Sequence, residues 1–154
     1  MQNIPHGHAL RKGRVSIAHQ IYLVTCVACD RQMVFQDLQS GRQVVQALRY
    51  ASASGRAETL AYVVMPDHLH WLLSLGDSVA LSAVVGSMKR HSARRINAAN
   101  RLAGSCVWQR GFHDRALRSE ESVQDVARYL VANPLRAGLV HRLGDYALWD
   151  AVWM

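Results

Sequence analysis

Two histidines separated by a single residue are the first candidates for chemistry in this sequence. His68 and His70 follow the turn-forming pair Pro66–Asp67, at the start of a predicted β-strand. Because side chains at i and i+2 of a strand project from the same face, both imidazoles are expected to point together. Two neutral imidazoles side by side are half of a divalent-metal site. The alternative is a pair of solvent-facing histidines on a half-exposed strand.

Tyr129 and Asn133 are the next candidates, four residues apart on one face of a predicted helix. Taken alone, Tyr129 is equally typical of a half-buried core aromatic, and Asn133 of a residue that ends a helix before Pro134. Together with the two histidines, the amide oxygen would complete a metal site with open positions for a phosphate oxygen. The phenolate of Tyr129 could then attack phosphorus, giving a covalent phosphotyrosine and a free DNA hydroxyl.

The elements that must position these residues follow the order β-α-β-β-α-β, with an added C-terminal helix that carries Tyr129. This order predicts a ferredoxin-like βαββαβ fold of the α+β class, built on an antiparallel sheet. We expect a single domain over residues 1–154, with a flexible basic arm over 1–17 and a C-terminal tail over 141–154. The predicted elements are strands over Gln20–Val27, Thr59–Met65 and His68–Leu75, a strand within Val107–Arg118, and helices over Gln36–Ser54, from Ser78 to about Leu102, and from Ser119 to about Ala132.

The positive charge of the chain is confined to one segment. Gly86–Arg118 contains eight Lys or Arg against one Asp, a net charge of +7, whereas the remaining residues carry ten basic and ten acidic side chains. Within the long helix, Arg90, Arg94, Asn97 and Arg101 recur on one face, apart from an apolar stripe of Leu81, Val84, Val85, Met88 and Ile96. This confinement favours a phosphate-backbone footprint over a merely solvated basic face.

Three cysteines, Cys26, Cys29 and Cys106, are an odd number, which is typical of a reducing compartment rather than of a disulfide framework. We therefore expect ordinary thiols with no zinc or redox role. The polar N-terminus is unlike a secretory signal, and no apolar run reaches membrane-spanning length. The expected location is the cytoplasm, in association with the nucleoid.

Four segments resemble motifs of the HUH single-tyrosine transposases, and in particular of the REP-associated tyrosine transposases. The first segment, Tyr62–His70, contains the His-hydrophobic-His block, and the second, Met88–Asn97, is a basic helix. The third segment, Val107–Arg115, corresponds to the strand after that helix, and the fourth, Tyr129–Val140, is the tyrosine block. The resemblance runs from about Gly13 to Val140, and four motifs in the right order are far more specific than a lone His-x-His. His113–Asp114 also resembles the family and is interpreted as a structural hydrogen-bonding pair.

The resemblance implies that His68, His70 and Asn133 bind a divalent metal, Mg or Mn, and that Tyr129 is the nucleophile. The implied substrate is single-stranded DNA folded into imperfect hairpins, which the enzyme cuts and rejoins near a short guide tetranucleotide. Neither a membrane nor a small-molecule cofactor is implied, and the protein would act as a monomer or homodimer. The side chains expected to contact DNA are Arg11, Lys12, Arg14, Lys89, Arg90, Arg94, Arg95, Arg101, Arg110, Arg115 and Arg118.

Three other functions are compatible with parts of the sequence. The first is a catalytically inactive protein of the same fold that binds DNA hairpins, and the intact His68, His70 and Tyr129 argue against it. The second is a His-x-His metalloenzyme of the cupin-like oxygenase type, which needs a largely β-barrel chain and a nearby Glu ligand. No Glu lies between Glu58 and Glu120. The third is RNA processing by a basic ferredoxin-like domain, but the aromatic RNA-binding signature on a strand is absent.

Overall fold

A five-stranded antiparallel sheet organises the protein. The structure is a computed structural model that describes residues 16–101 and 104–153. Its helices and strands are β1 (Ile21–Val27), α1 (Leu38–Ala53), β2 (Ala57–Met65), β3 (His68–Leu75), α2 (Leu81–Asn100), β4 (His113–Ala116), α3 (Val123–Val131), α4 (Asn133–Arg136) and β5 (Trp149–Ala151). The strand order is β4-β1-β3-β2-β5, and every neighbouring pair is antiparallel. The predicted ferredoxin-like βαββαβ fold with an added helix is confirmed.

One face of the sheet holds the main hydrophobic core. Side chains of the central strands alternate between the two faces, and Val24, Leu69 and Trp71 point into this core, where each is fully buried. Helices α1 and α2 cover this face, and Val44 and Leu48 of α1 are buried in the core. In α2 the whole predicted stripe from Leu81 to Ile96 is buried.

The opposite face is covered by α3. Ala127, Leu130 and Val131 of that helix pack against a second cluster that includes Val63 and Leu72. Because Leu72 belongs to this cluster, the period of two along β3 places His68 and His70 on the same face. The two histidines and the tyrosine helix therefore share one side of the sheet.

The predicted starts of two helices were wrong. Helix α2 begins at Leu81 rather than at Ser78, and the backbone N–H of Leu81 donates to the side chain of Ser16, 2.9 Å away. Helix α3 begins at Val123, because Ser122 rather than Ser119 is the N-cap and accepts from the N–H of Asp125.

The interior of α2 also differs from the prediction. Asn97 was expected on an exposed basic stripe, but it is buried and donates to the carbonyl of Ser105. It thereby ties the end of the helix to the segment that leads towards β4.

The C-terminal segment extends the sheet. Strand β5 pairs with the outer edge of β2, so that Trp149 lies opposite Val63. The hydroxyl of Tyr146 donates to the carbonyl of Val64, and the indole N–H of Trp149 donates to the carbonyl of Leu143. These contacts explain why the tail contains aromatic residues. The predicted basic arm lies outside the described residues except for Ser16 and Ile17.

The prediction of ordinary thiols was wrong for two of the three cysteines. Cys29 and Cys106 form a disulfide, with their Cα atoms 5.9 Å apart, whereas Cys26 is free and buried. The bond joins the turn after β1 to the segment that precedes β4, and the sequence separation of 77 residues hid this pairing from local pattern reading. Among the described helices, none combines the length and apolarity of a membrane span.

Candidate active site

His68 and His70 lie side by side at the start of β3. Their ring centroids are 4.7 Å apart and the rings meet edge to face. The tight turn at Pro66–Asp67 brings the chain from β2 into β3, so both histidines sit at one end of the central strand pair. The predicted same-face projection of the two imidazoles is confirmed.

The orientation of His68 is fixed through its Nδ1 atom. The Nδ1–H of His68 donates to Oδ1 of Asp67 at 2.6 Å, and Oδ2 of Asp67 accepts from Arg31 at 3.3 Å. Partial burial acts to raise the pKa of Asp67, but the hydrogen bonds from His68 and Arg31 outweigh it, and the pKa lies below its usual value. Because the carboxylate of Asp67 accepts this N–H, the neutral form of His68 carries its proton on Nδ1 and has its lone pair on Nε2.

His70 is positioned in the same way by a different strand. Oγ1 of Thr25 lies 2.9 Å from Nδ1 of His70, and the pairing of β1 with β3 places these two residues directly opposite each other. Burial, followed by unfavourable charge interactions with His68 and Arg136, lowers the pKa of His70 to about 4. His70 is therefore neutral near pH 7. In the tautomer whose Nδ1–H donates to Thr25, its Nε2 lone pair is available to a ligand.

Tyr129 projects from α3 into solvent, with 69% of the residue exposed. Its interpretation as a half-buried core aromatic is thereby excluded. The guanidinium carbon of Arg136 lies 3.8 Å from the centroid of the Tyr129 ring, a cation–π contact. A large aromatic side chain held in the open beside a cation is accessible to an incoming substrate.

Asn133 lies one residue beyond the C-cap of α3, at the first position of α4. Its Nδ2 donates to the carbonyl of Leu130 at 3.0 Å, which fixes the direction of the amide, and its Oδ1 accepts from Nη2 of Arg136 at 2.7 Å. A carbonyl oxygen has two lone pairs, so this contact leaves Oδ1 one further acceptor site. Arg136 thus touches both Tyr129 and Asn133.

An open cavity of about 480 Å³ between the sheet and α3 brings the candidates together. His70, Tyr129 and Asn133 all line it, and His68 stands beside His70. Arg115 from β4 also lines it, and Leu23, Val126 and Leu130 form an apolar surface that we call the floor. Residues from β1, β3, β4 and both C-terminal helices therefore meet at one site.

The predicted DNA-binding residues separate into several groups. Arg90, Arg94 and Arg95 are exposed on α2, which lies on the opposite face of the sheet from Tyr129, and Arg101 is exposed at the C-cap of that helix. Arg115 and Arg118 lie next to α3, where Glu121 accepts from the guanidinium of Arg115 and from the backbone N–H of Arg118.

Two other predicted DNA-binding residues, Lys89 and Arg110, have different surroundings. Lys89 donates to the carbonyls of Gln109 and Gly111, a structural contact that the sequence did not indicate. Arg110 lines a second open cavity with Arg31 and the disulfide. The remaining members, Arg11, Lys12 and Arg14, lie outside the described residues.

Sequence reasoning missed the three residues that orient the candidates. Asp67 adjoins His68 and could have been identified from that adjacency, whereas Thr25 could be found only once the strand register was known. Arg136 follows Asn133 by three residues, a spacing that places side chains on one helix face. Among residues 16–101 and 104–153, no group of three or more His, Cys, Asp or Glu side chains is arranged so that it could hold a metal ion.

Comparison with known proteins gives one consistent family. A family model described as "Transposase IS200 like" matches residues 16–133. The ISDra2 transposase TnpA of Deinococcus radiodurans is 29% identical over 109 residues, which are 67% of this chain and 76% of that protein. A REP-associated tyrosine transposase of Escherichia coli is 28% identical over 91 residues, which are 58% of this chain and 51% of that protein.

A solved structure agrees at the level of the fold. The REP-associated tyrosine transposase bound to a REP hairpin superimposes with a TM-score of 0.70 at 20% identity, over 88% of this chain and 79% of that chain. The resemblance to REP-associated tyrosine transposases that the four motifs indicated is therefore found again by sequence and by structure.

Proposed function

The chain belongs to the IS200-like transposase family, and on that premise we propose that it cuts and rejoins single-stranded DNA at hairpins, with Tyr129 as the nucleophile. The observation that carries the proposal is the cavity lined by His70, Tyr129 and Asn133, with His68 beside it. These are the four residues whose spacing predicted phosphoryl-transfer chemistry.

The side chains present fit a divalent metal. The Nδ1 atoms of His68 and His70 are both engaged by oriented partners, which is the usual arrangement for metal-binding histidines. Together with Oδ1 of Asn133 they make a mixed nitrogen and oxygen set, which suits Mn²⁺ better than Mg²⁺, an ion that prefers oxygen ligands. Such an ion, when bound, supplies a Lewis acid for a phosphate oxygen.

The protein's own part in cleavage is nucleophilic attack. The phenolate oxygen of Tyr129 forms a bond to phosphorus while the bond from phosphorus to one DNA oxygen breaks, and that oxygen takes up a proton to become a hydroxyl. The product is a phosphotyrosine that retains the phosphodiester bond energy. Attack on it by a DNA hydroxyl reverses the exchange and rejoins two strands without a high-energy cofactor.

The hairpin substrate is proposed from two supports. The structural neighbour was solved with a REP hairpin bound, and the positive charge of this chain is concentrated between Gly86 and Arg118. Arginines on α2 and beside α3 lie on opposite sides of the sheet, so a folded DNA that contacts both groups would have to wrap past its edge. Single strands with a hairpin can follow such a path more easily than a continuous stiff duplex.

The test is the covalent adduct itself. We would incubate the protein with a DNA hairpin that carries single-stranded extensions of random sequence, labelled at its 5′ end or at its 3′ end in separate reactions, with MnCl₂ or with EDTA, and separate the products on a denaturing protein gel. A labelled adduct that needs the metal and disappears in Tyr129→Phe is expected. Tyr50→Phe is the matched control, because Tyr50 is also an exposed tyrosine on a helix.

Two results would contradict the proposal. An adduct that persists in Tyr129→Phe would mean that another residue is the nucleophile. Tight hairpin binding with no adduct in Mn²⁺ or Mg²⁺ would identify an inactive DNA-binding protein of the same fold.

A further inference from the structure

The cavity beside Tyr129 contains more apolar surface than the proposed chemistry uses. Its floor is made by Leu23 of β1 together with Val126 and Leu130 of α3. A phosphodiester is a hydrated anion, and aliphatic side chains offer it no hydrogen bond or charge. The volume of about 480 Å³ lies within the range of about 300–1,000 Å³ that is usual for small-molecule sites. The floor is therefore better suited to an apolar group than to the phosphate itself.

The position of the floor indicates what that group is. Tyr129 and His70 line the same cavity, so a phosphate that reacts with Tyr129 lies next to the floor. The largest apolar surface that DNA offers near that phosphate is the flat face of the base carried by the sugar on either side of it. In single-stranded DNA this base is not paired, and it can leave the stack at low cost. We infer that the Leu23–Val126–Leu130 floor binds the base of a nucleotide that adjoins the scissile phosphate.

Arg115 gives this pocket a polar rim. Both oxygens of Glu121 accept from Nη1 of Arg115, at 2.6 and 2.9 Å, which holds the guanidinium in one orientation. A guanidinium has five N–H donors, so the edge formed by Nε and Nη2 offers a further pair. Guanine presents two acceptors, O6 and N7, to such a pair, whereas adenine presents a donor next to N7. The pocket is expected to prefer guanine over adenine.

This inference rests on the proposed function, and its test separates the two. The junction cut by the wild-type protein is first read by sequencing the adducts from the random-extension hairpins. A defined substrate is then made with an abasic site on each side of the junction in turn. One abasic site is expected to slow single-turnover adduct formation about tenfold, because the floor loses its apolar contact.

A protein variant identifies the floor as the cause. In Leu23→Ala the penalty from the abasic site is expected to shrink to less than about threefold, because the base and Leu23 form one interaction. Val126→Thr is a second variant that keeps the side-chain shape and disturbs folding less. Leu139→Ala, at an exposed leucine outside the cavity, is the matched control and should retain the full penalty.

Each alternative result has a definite meaning. If both abasic substrates form adducts as fast as the intact substrate does, the base pocket is overturned and the proposed function is left intact. The same holds if the abasic penalty is undiminished in both Leu23→Ala and Val126→Thr, as would occur if another part of the chain or a second copy covered the floor. The absence of any adduct on all substrates overturns the proposed function, and the base pocket with it.

Discussion

Replacing Arg136 with glutamine is expected to weaken metal binding and to slow the proposed cleavage. Nη2 of Arg136 donates to Oδ1 of Asn133 at 2.7 Å, and the same guanidinium lies 3.8 Å from the centroid of the Tyr129 ring. One cation thus orients the proposed amide ligand and the proposed nucleophile at once. Glutamine is two bonds shorter than arginine, so it removes the charge, the planar contact with the ring and the hydrogen bond to Asn133.

The size of the effect follows from these two contacts. A hydrogen bond from a charged donor contributes about 1.5–3 kcal/mol, and an exposed site such as this one lies near the lower value. Because glutamine cannot reach Asn133 from the same backbone position, this contribution of about 1.5 kcal/mol is lost. Loss of an exposed cation–π contact adds about 0.5–1 kcal/mol. The net loss of about 2–2.5 kcal/mol corresponds to a decrease of about 30- to 70-fold.

The assay is single-turnover adduct formation over a range of MnCl₂ concentrations. If Arg136 orients Asn133 for metal binding, the concentration that gives half-maximal rate should rise about tenfold in Arg136→Gln, and the plateau rate should fall through the contact with Tyr129. Arg142→Gln is the matched control, because Arg142 is an exposed arginine that pairs with Asp145 on the surface. Thermal unfolding would verify that both variants remain folded.

The reasoning would be refuted by either of two results. Unchanged metal dependence together with an unchanged plateau would mean that Arg136 orients neither residue. A variant that is faster than the wild type would mean that Arg136 withholds Asn133 from the metal rather than aligning it.

Three further changes test the surroundings of the site and the linkage of the sheet to the helices. Thr25→Val, which keeps the β-branched shape but removes the oxygen beside Nδ1 of His70, should raise the half-saturating MnCl₂ concentration about tenfold, and an unchanged value would contradict the orienting role. Lys89→Met removes the donor to two loop carbonyls and should lower the free energy of unfolding in urea by about 1–3 kcal/mol, whereas Arg90→Met at the exposed neighbouring residue should change it little. The backbone N–H of Arg118, followed by the side chain of Arg115, lowers the pKa of Glu121, so this carboxylate stabilises the fold above its unfolded-state pKa and loses that effect as the pH falls through the folded-state value. Glu121→Gln should therefore be less stable than the wild type at pH 6 in thermal unfolding, with the difference vanishing in acid, and a constant difference at all pH values would disprove the linkage.

Local patterns predicted the central strands and their faces well. His68 and His70 alternate with Leu69 and Trp71, and a period of two is enough to place the histidines on one face and the buried residues on the other. The stripe of α2 was equally readable, because apolar residues at helical spacing leave few alternatives.

Contacts between distant residues were the part that local patterns could not predict. Ser78 has the type of residue that starts a helix, but Ser16, which lies 65 residues before Leu81, supplies the cap. Similarly, the spacing of Asn97 fits a polar stripe on the helix surface, but in the structure its side chain is buried and donates to the carbonyl of Ser105. In each case the competing partner belongs to another part of the chain, so that no window of neighbouring residues contains the information.

The side of the sheet on which each functional residue lies was also unpredictable from local patterns, because it depends on contacts between distant parts of the chain. The sequence does not show on which side of the sheet the basic residues of α2 and the tyrosine of α3 lie, and in the structure they are on opposite sides. Thr25 illustrates the point from the other direction, because it is an ordinary strand residue until the register of β1 with β3 places it opposite His70.

The alternation along β3 has a consequence for how this protein can change over evolutionary time. Leu69, Trp71 and Leu73 are fully buried in the main core, whereas His68 and His70 take no part in that core. Substitution of the buried residues would destabilise the fold, whereas substitution of the histidines would affect the proposed chemistry and leave the main core unchanged. The proposed catalysis could therefore be lost through one or two tolerated substitutions, and a lineage that kept the basic helix could retain a scaffold able to serve the proposed DNA binding.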